Sequence, residues 1–115
     1  MSLEGKLGLK DRPIRVVGAP EGFRLVTRKT IPGESALLVF VTNRATLEGY
    51  LKTTIESAAA DRLTWVAYPK GGQLETDLNR DSLARLLIAQ GVRPVTQISI
   101  DSTWSALRFR PGKVE

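Results

Sequence analysis

The chain has 115 residues, near the commonest domain size and long enough to bury roughly two-thirds of its unfolded surface in one core. It carries 17 Lys and Arg against 12 Asp and Glu, with no cysteine and no histidine, which excludes disulfides, thiolate metal sites and a histidine general base and argues against zinc chemistry. The net charge of +5 favours acidic partners, but the basic residues are spread from Lys6 to Lys113 without a dense run or an aromatic-basic repeat, so an ordinary solvated surface is preferred to a nucleic-acid footprint.

Residues 1–13, with Gly5, Gly8 and Pro13, have no sustained period and read as an irregular arm. Ile14 to Val17 reads as a short strand ending at Gly18. Pro20 and Glu21 suit the first turn of a helix, which predicts about two helical turns there. Pro32 and Gly33 mark a turn. Leu37 to Val41 is apolar without alternation, the pattern of a strand covered on both faces. Asn43 is a good N-cap, and Leu47, Tyr50, Leu51, Thr54, Ile55 and Ala58 share one helical face, predicting a helix over 44–59 despite Gly49. Leu63 to Tyr68 is the next buried strand, reached by a right-handed crossover. A long polar loop, 69–79, leads to a helix starting near Arg80, capped by Asn79 or Asp77, with Leu83, Leu86 and Leu87 on one face and Gly91 at its left-handed end. After Pro94, the runs Val95 to Ile100 and Thr103 to Phe109 flank a turn at Asp101 and Ser102, the pattern of a hairpin.

These elements predict a single Rossmann-like, three-layer α/β domain over 14–110, with an arm at 1–13 and a tail at 111–115. Its sheet is expected to be mixed and five-stranded, mostly parallel with one antiparallel strand from the hairpin, in the spatial order Ile14, Leu37, Leu63, Thr103, Val95. The longest apolar stretch, Ala36 to Val41, is far short of the roughly 20 residues of a membrane span. No apolar signal-peptide core is present, and a soluble cytoplasmic protein is the expectation.

The order of strand, helix, strand, helix and closing hairpin resembles the end of the Rossmann-like methyltransferases. In those enzymes the cofactor site needs a glycine-rich turn after the first strand and an acid after the second. Here the turn is Gly18-Ala19-Pro20-Glu21-Gly22, Pro20 removes a donor, and no second strand with a terminal acid follows. No cofactor is therefore expected, S-adenosylmethionine included. Four segments, Ala19 to Gly22, Trp65 to Lys70, Thr76 to Asp81 and Asp101 to Phe109, are similar to those of an uncharacterised family of small bacterial proteins, a domain of unknown function. That resemblance implies the α/β fold and a bacterial origin, and it carries no catalytic residue with it.

Ligands of open α/β sheets bind beyond the carboxyl ends of the strands. The loops there hold Pro20 and Glu21, Asn43 and Arg44, Tyr68 and Asp81, and the candidate ligand-binding residues Lys70, Asp77, Asn79, Arg80, Asp101 and Trp104. One reading has Lys70 and Arg80 holding a small anion with help from the helix N-termini after Asn43 and Asn79. The other makes Asn43 and Asn79 caps, Asp77 and Arg80 an ion pair, and Asp101 a turn residue accepting nearby N–H groups, and it is preferred for want of a nucleophile motif. Trp65 is read as core and Trp104 as a residue of a pocket rim. The favoured function is a non-catalytic binding or interaction module without cofactor or metal. The alternatives are an enzyme or sensor binding a small anion at Lys70 and Arg80, and a weak nucleic-acid binder; no membrane partner is expected.

Overall fold

The computed structural model of the chain describes residues 2–9, 13–23, 36–71, 74 and 76–112. A short helix α1, Leu3–Lys6, is capped by Ser2 and followed by the buried Leu7 and Leu9. Strand β1, Ile14–Val17, ends at Gly18, whose φ of +71° places a Cβ, were there one, 2.8 Å from the Phe40 carbonyl oxygen. Only glycine fits that combination of left-handed backbone and close approach. Pro20 to Phe23 forms a turn, with the Phe23 N–H donating to the Pro20 carbonyl (3.1 Å). The helix expected to start at Pro20 does not start there, since Gly22 is left-handed (φ +84°); the turn expected at Pro32 and Gly33 falls outside the described residues.

Strand β2, Ala36–Phe40, is buried at every position, and so is β3, Thr64–Pro69. Between them lies α2, Arg44–Ala59, bounded as its period predicts. Helix α3, Arg80–Ile88, leads through Gly91 (φ +95°) into the hairpin of β4, Val92–Ser99, and β5, Trp104–Pro111. The five strands lie in the order β1-β2-β3-β5-β4, the order read from the apolar runs. β1 pairs parallel with β2 and β2 with β3, whereas β5 pairs antiparallel with both β3 and β4. β4 carries an irregularity between Pro94 and Thr96.

Two expectations need correction. The sheet is not mostly parallel, because two of its four ladders are antiparallel. Nor is the domain a Rossmann-like, doubly wound layer structure, since α2 and α3 pack on the same face of the sheet. Leu47 and Ala58 of α2 and Leu83, Ala84 and Leu87 of α3 share one core with Leu37, Val39, Val66, Tyr68, Leu107 and Phe109. The opposite face, with Leu38, Phe40, Trp65, Ala67, Trp104 and Ala106, is covered by Leu3, Leu7, Leu9 and Phe23. The leading arm is therefore structural cover, and it is fixed by the Trp65 indole N–H, which donates to the Leu7 carbonyl (3.0 Å). Non-alternating strands require cover on both faces, and among the described residues the cover on this side comes from α1, Leu7, Leu9 and Phe23.

Helix α2 is tied to the sheet by a buried hydroxyl pair, Ser57 Oγ and Thr64 Oγ1 (2.7 Å), the latter also donating to the Arg62 carbonyl (2.9 Å). No helix among the described residues is long and apolar enough to cross a membrane.

Candidate functional site

The carboxyl ends of β1, β2 and β3 meet the β4–β5 turn at one rim, so the polar loop residues gather there. Most of them hold backbone. Asn43 Oδ1 accepts from the Thr46 N–H (2.9 Å), and Asp77 Oδ1, from 33 residues away in sequence, accepts from the Arg44 N–H (2.9 Å). Together they close the first turn of α2. Asn79 and Ser82 form a reciprocal capping box on α3: the Ser82 N–H donates to Asn79 Oδ1 (2.9 Å) and the Asn79 N–H to Ser82 Oγ (3.0 Å). Asp101 Oδ1 accepts from the Thr103 and Trp104 N–H groups, both at 2.8 Å, which shapes the hairpin turn.

The expected pair of Asp77 with Arg80 does not form, because Asp77 caps α2 instead. Arg80 pairs with its neighbour Asp81 at 3.4 Å, both side chains well exposed. Trp104 is not a rim residue: it is 5% exposed and packs edge-on to Phe40 (5.0 Å between ring centres), which in turn meets Phe23 (4.7 Å). Lys70 turns to the hairpin, its Nζ donating to Ser99 Oγ (2.7 Å). Lys6, which the sequence does not single out, arrives from α1 and donates to the Ser99 carbonyl (3.3 Å). The structure therefore brings Lys70 together with Lys6 and Ser99, and the helix N–H groups invoked for an anion at Arg44, Thr46 and Ser82 are already occupied by side-chain oxygens.

Tyr68, which the sequence groups with the loop residues, lies instead within β3. Its ring lies in the helix-covered core at 3% exposure, and its Oη has no hydrogen-bond partner. Burial raises the phenol pKa; Arg80 and the facing Ser105 hydroxyl, which lacks hydrogen-bond geometry, act in the opposite sense, and Asp81 raises it.

Two concavities border this end of the molecule. One, of about 320 Å³, is lined by Leu3, Pro20, Glu21, Phe23, Ile100 and Asp101. The other, of about 280 Å³, lies between α2 and α3 and is lined by Arg44, Ser82, Arg85, Leu86 and Ala89. Both are of a size that holds a small ligand or an inserted side chain. Among the described residues no three His, Cys, Asp or Glu side chains gather to hold a metal ion. No protein-family model, no curated protein and no solved structure matches the chain.

Proposed function

We propose that the chain is a non-catalytic binding module that acts in the cytoplasm and recognises its partner at the rim beyond the strand ends. On this reading it belongs to the uncharacterised bacterial family that its four segments resemble. One observation carries the proposal: the Asp77 and Asp101 carboxylates and the Asn43 and Asn79 amides of the rim are engaged with backbone N–H groups. Side chains committed to backbone in this way shape the caps and the turn, whereas a general base must be free to reach the proton it abstracts. What the rim offers a partner is shape, in two concavities, and charge, from Lys6, Lys70 and Arg80.

The test is a thermal-shift screen of metabolites and nucleotides followed by incubation of each hit with the protein. A ligand of the native state raises the melting temperature, and the expected hit is recovered chemically unchanged. S-adenosylmethionine is expected to leave the melting temperature where it was. A hit that is turned over, with turnover lost in a rim variant, overturns the proposal.

A further inference from the structure

Helix α3 carries two stripes of different character. Leu83, Ala84 and Leu87 enter the core, while Ser82, Arg85, Leu86 and Ala89 recur at the three- and four-residue spacing of a single helical side and border α2. With Arg44, the first residue of α2, they line the hollow of about 280 Å³ between the two helices. Its apolar lining comes from Leu86, which is half-buried against the helix-covered core, and from Ala89. Ile88, 55% exposed and a helical turn on from Arg85, extends the apolar surface beside it. Arg44, Arg85 and Ala89 are exposed, so the hollow opens to solvent.

The two cations of the hollow are uncommitted. Among the described residues neither Arg44 nor Arg85 makes an ion pair, although acids stand near both in sequence. Asp81, a turn before Arg85, pairs with Arg80 instead; Asp77 accepts the backbone N–H of Arg44; and Glu48, a turn after Arg44, makes no pair with it. The Ser82 hydroxyl is committed to the capping box, accepting from the Asn79 N–H and donating to the Asn79 carbonyl. What the hollow leaves for a ligand is therefore two guanidiniums beside an apolar wall. A guanidinium matches a carboxylate in a bidentate geometry. A phosphate offers more acceptor oxygens than these groups can satisfy, because the helix N–H groups of Arg44, Thr46 and Ser82 are already taken.

We propose that this hollow binds a small amphiphilic carboxylate, its apolar body against Leu86 and Ala89 and its carboxylate held by Arg44 and Arg85. The proposal rests on the binding-module reading and names its ligand class. Apolar walls with a few convergent polar groups are the usual make-up of a small-molecule site, the walls supplying affinity and the polar groups orientation. The volume, just below that of drug-sized sites, sets the ligand at the scale of a medium-chain acid.

The experiment is an NMR titration of the isotope-labelled full chain with octanoate, with acetate and octylamine in parallel. The expected result is saturable shifts of the amides around Arg44 and along α3 with octanoate, and none at the same concentrations with acetate, which lacks the body, or octylamine, which reverses the charge. Arg44→Gln and Arg85→Gln should each weaken binding about tenfold. Both side chains are exposed and unpaired among the described residues, so the variants should melt with the parent. Ala89→Phe should fill the hollow and abolish binding, while Lys52→Gln, which removes a charge from the solvent side of α2, binds as the parent does. Absence of saturable shifts with octanoate, equal binding of octylamine or acetate, or binding undiminished in both arginine variants overturns the site. So does a peptide ending in a free C-terminal leucine that binds here where octanoate does not. If octanoate fails while the thermal-shift screen yields another ligand that is recovered unchanged, this site fails and the module stands. If a carboxylate binds in the hollow and is turned over, the site stands and the module reading fails.

Discussion

The Asp61 carboxylate closes α2 in the left-handed conformation (φ 59°) and receives both Nε and Nη2 of Arg110, each at 3.2 Å. That hydrogen-bonded pairing, reinforced by the charges of Arg110, Arg108 and Arg93, holds its pKa below the usual aspartate value against a smaller effect of burial. A carboxyl whose folded pKa is depressed contributes stability above its unfolded pKa and loses it as the pH falls through the folded one. An NMR titration should therefore find the Asp61 midpoint below those of ordinary aspartates, and Arg110→Gln should move it up and flatten the acid side of the stability profile. An unmoved midpoint in the variant refutes the pairing as the cause. Gly18 gives the second residue-scale expectation: in Gly18→Ala the new methyl meets the Phe40 carbonyl and the Tyr50 ring in a left-handed backbone. Urea unfolding should show a loss of about 2 kcal/mol or more.

At the scale of elements, helix α2 keeps a flaw that nothing in its packing requires. Gly49 is exposed, and a Cβ there meets nothing within 4 Å. Gly49→Ala should raise stability by about 1 kcal/mol, measured by chemical denaturation, because alanine loses less backbone entropy in a helix. Helix boundaries were legible in the sequence where a cap and a periodic face coincide. Asn43 with Leu47 through Ala58, and Asn79 with Leu83 and Leu87, are such cases, and Asp101 as an N–H acceptor was readable from turn chemistry alone. The arm was not legible, since Leu3, Leu7 and Leu9 on and around a four-residue helix leave no period to detect and owe their burial to tertiary contact. The placement of both long helices on one face was equally hidden. Continuous apolar strands such as β2 and β3 announce that both faces are covered but not by what, and the Rossmann-like expectation filled that gap wrongly. Tyr68, Ser99 and Ser105 illustrate the same limit, since they become neighbours only through strand register.

For the whole molecule, the two faces of the sheet are stabilised by different means. One is packed by two helices whose own hydrogen bonds are local, the other by a segment held through side chains of distant strands. The contact of Trp65 with Leu7 spans 58 residues and is buried. Trp65→Phe keeps most of the apolar area but leaves the Leu7 carbonyl without this donor, which should cost about 1–3 kcal/mol. Hydrogen exchange should localise the effect, with the amides of residues 6–9 losing protection well before those of β2 and β3. Uniform loss of protection across the sheet would show instead that the arm and the sheet unfold as one unit.

Covering one face with the leading arm also sets an order of events. The surface beneath Leu7 and Leu9 includes Trp65 and Ala67 of β3 and Trp104 and Ala106 of β5, so the segment synthesised before all of these has no complete place to dock until the hairpin has joined the sheet. During translation its leucines lack their full docking surface while the remaining strands emerge. The arm thereby works as a latch set after assembly. Slowing synthesis just ahead of the β5 codons should lengthen the period in which a protease can clip it from the nascent chain.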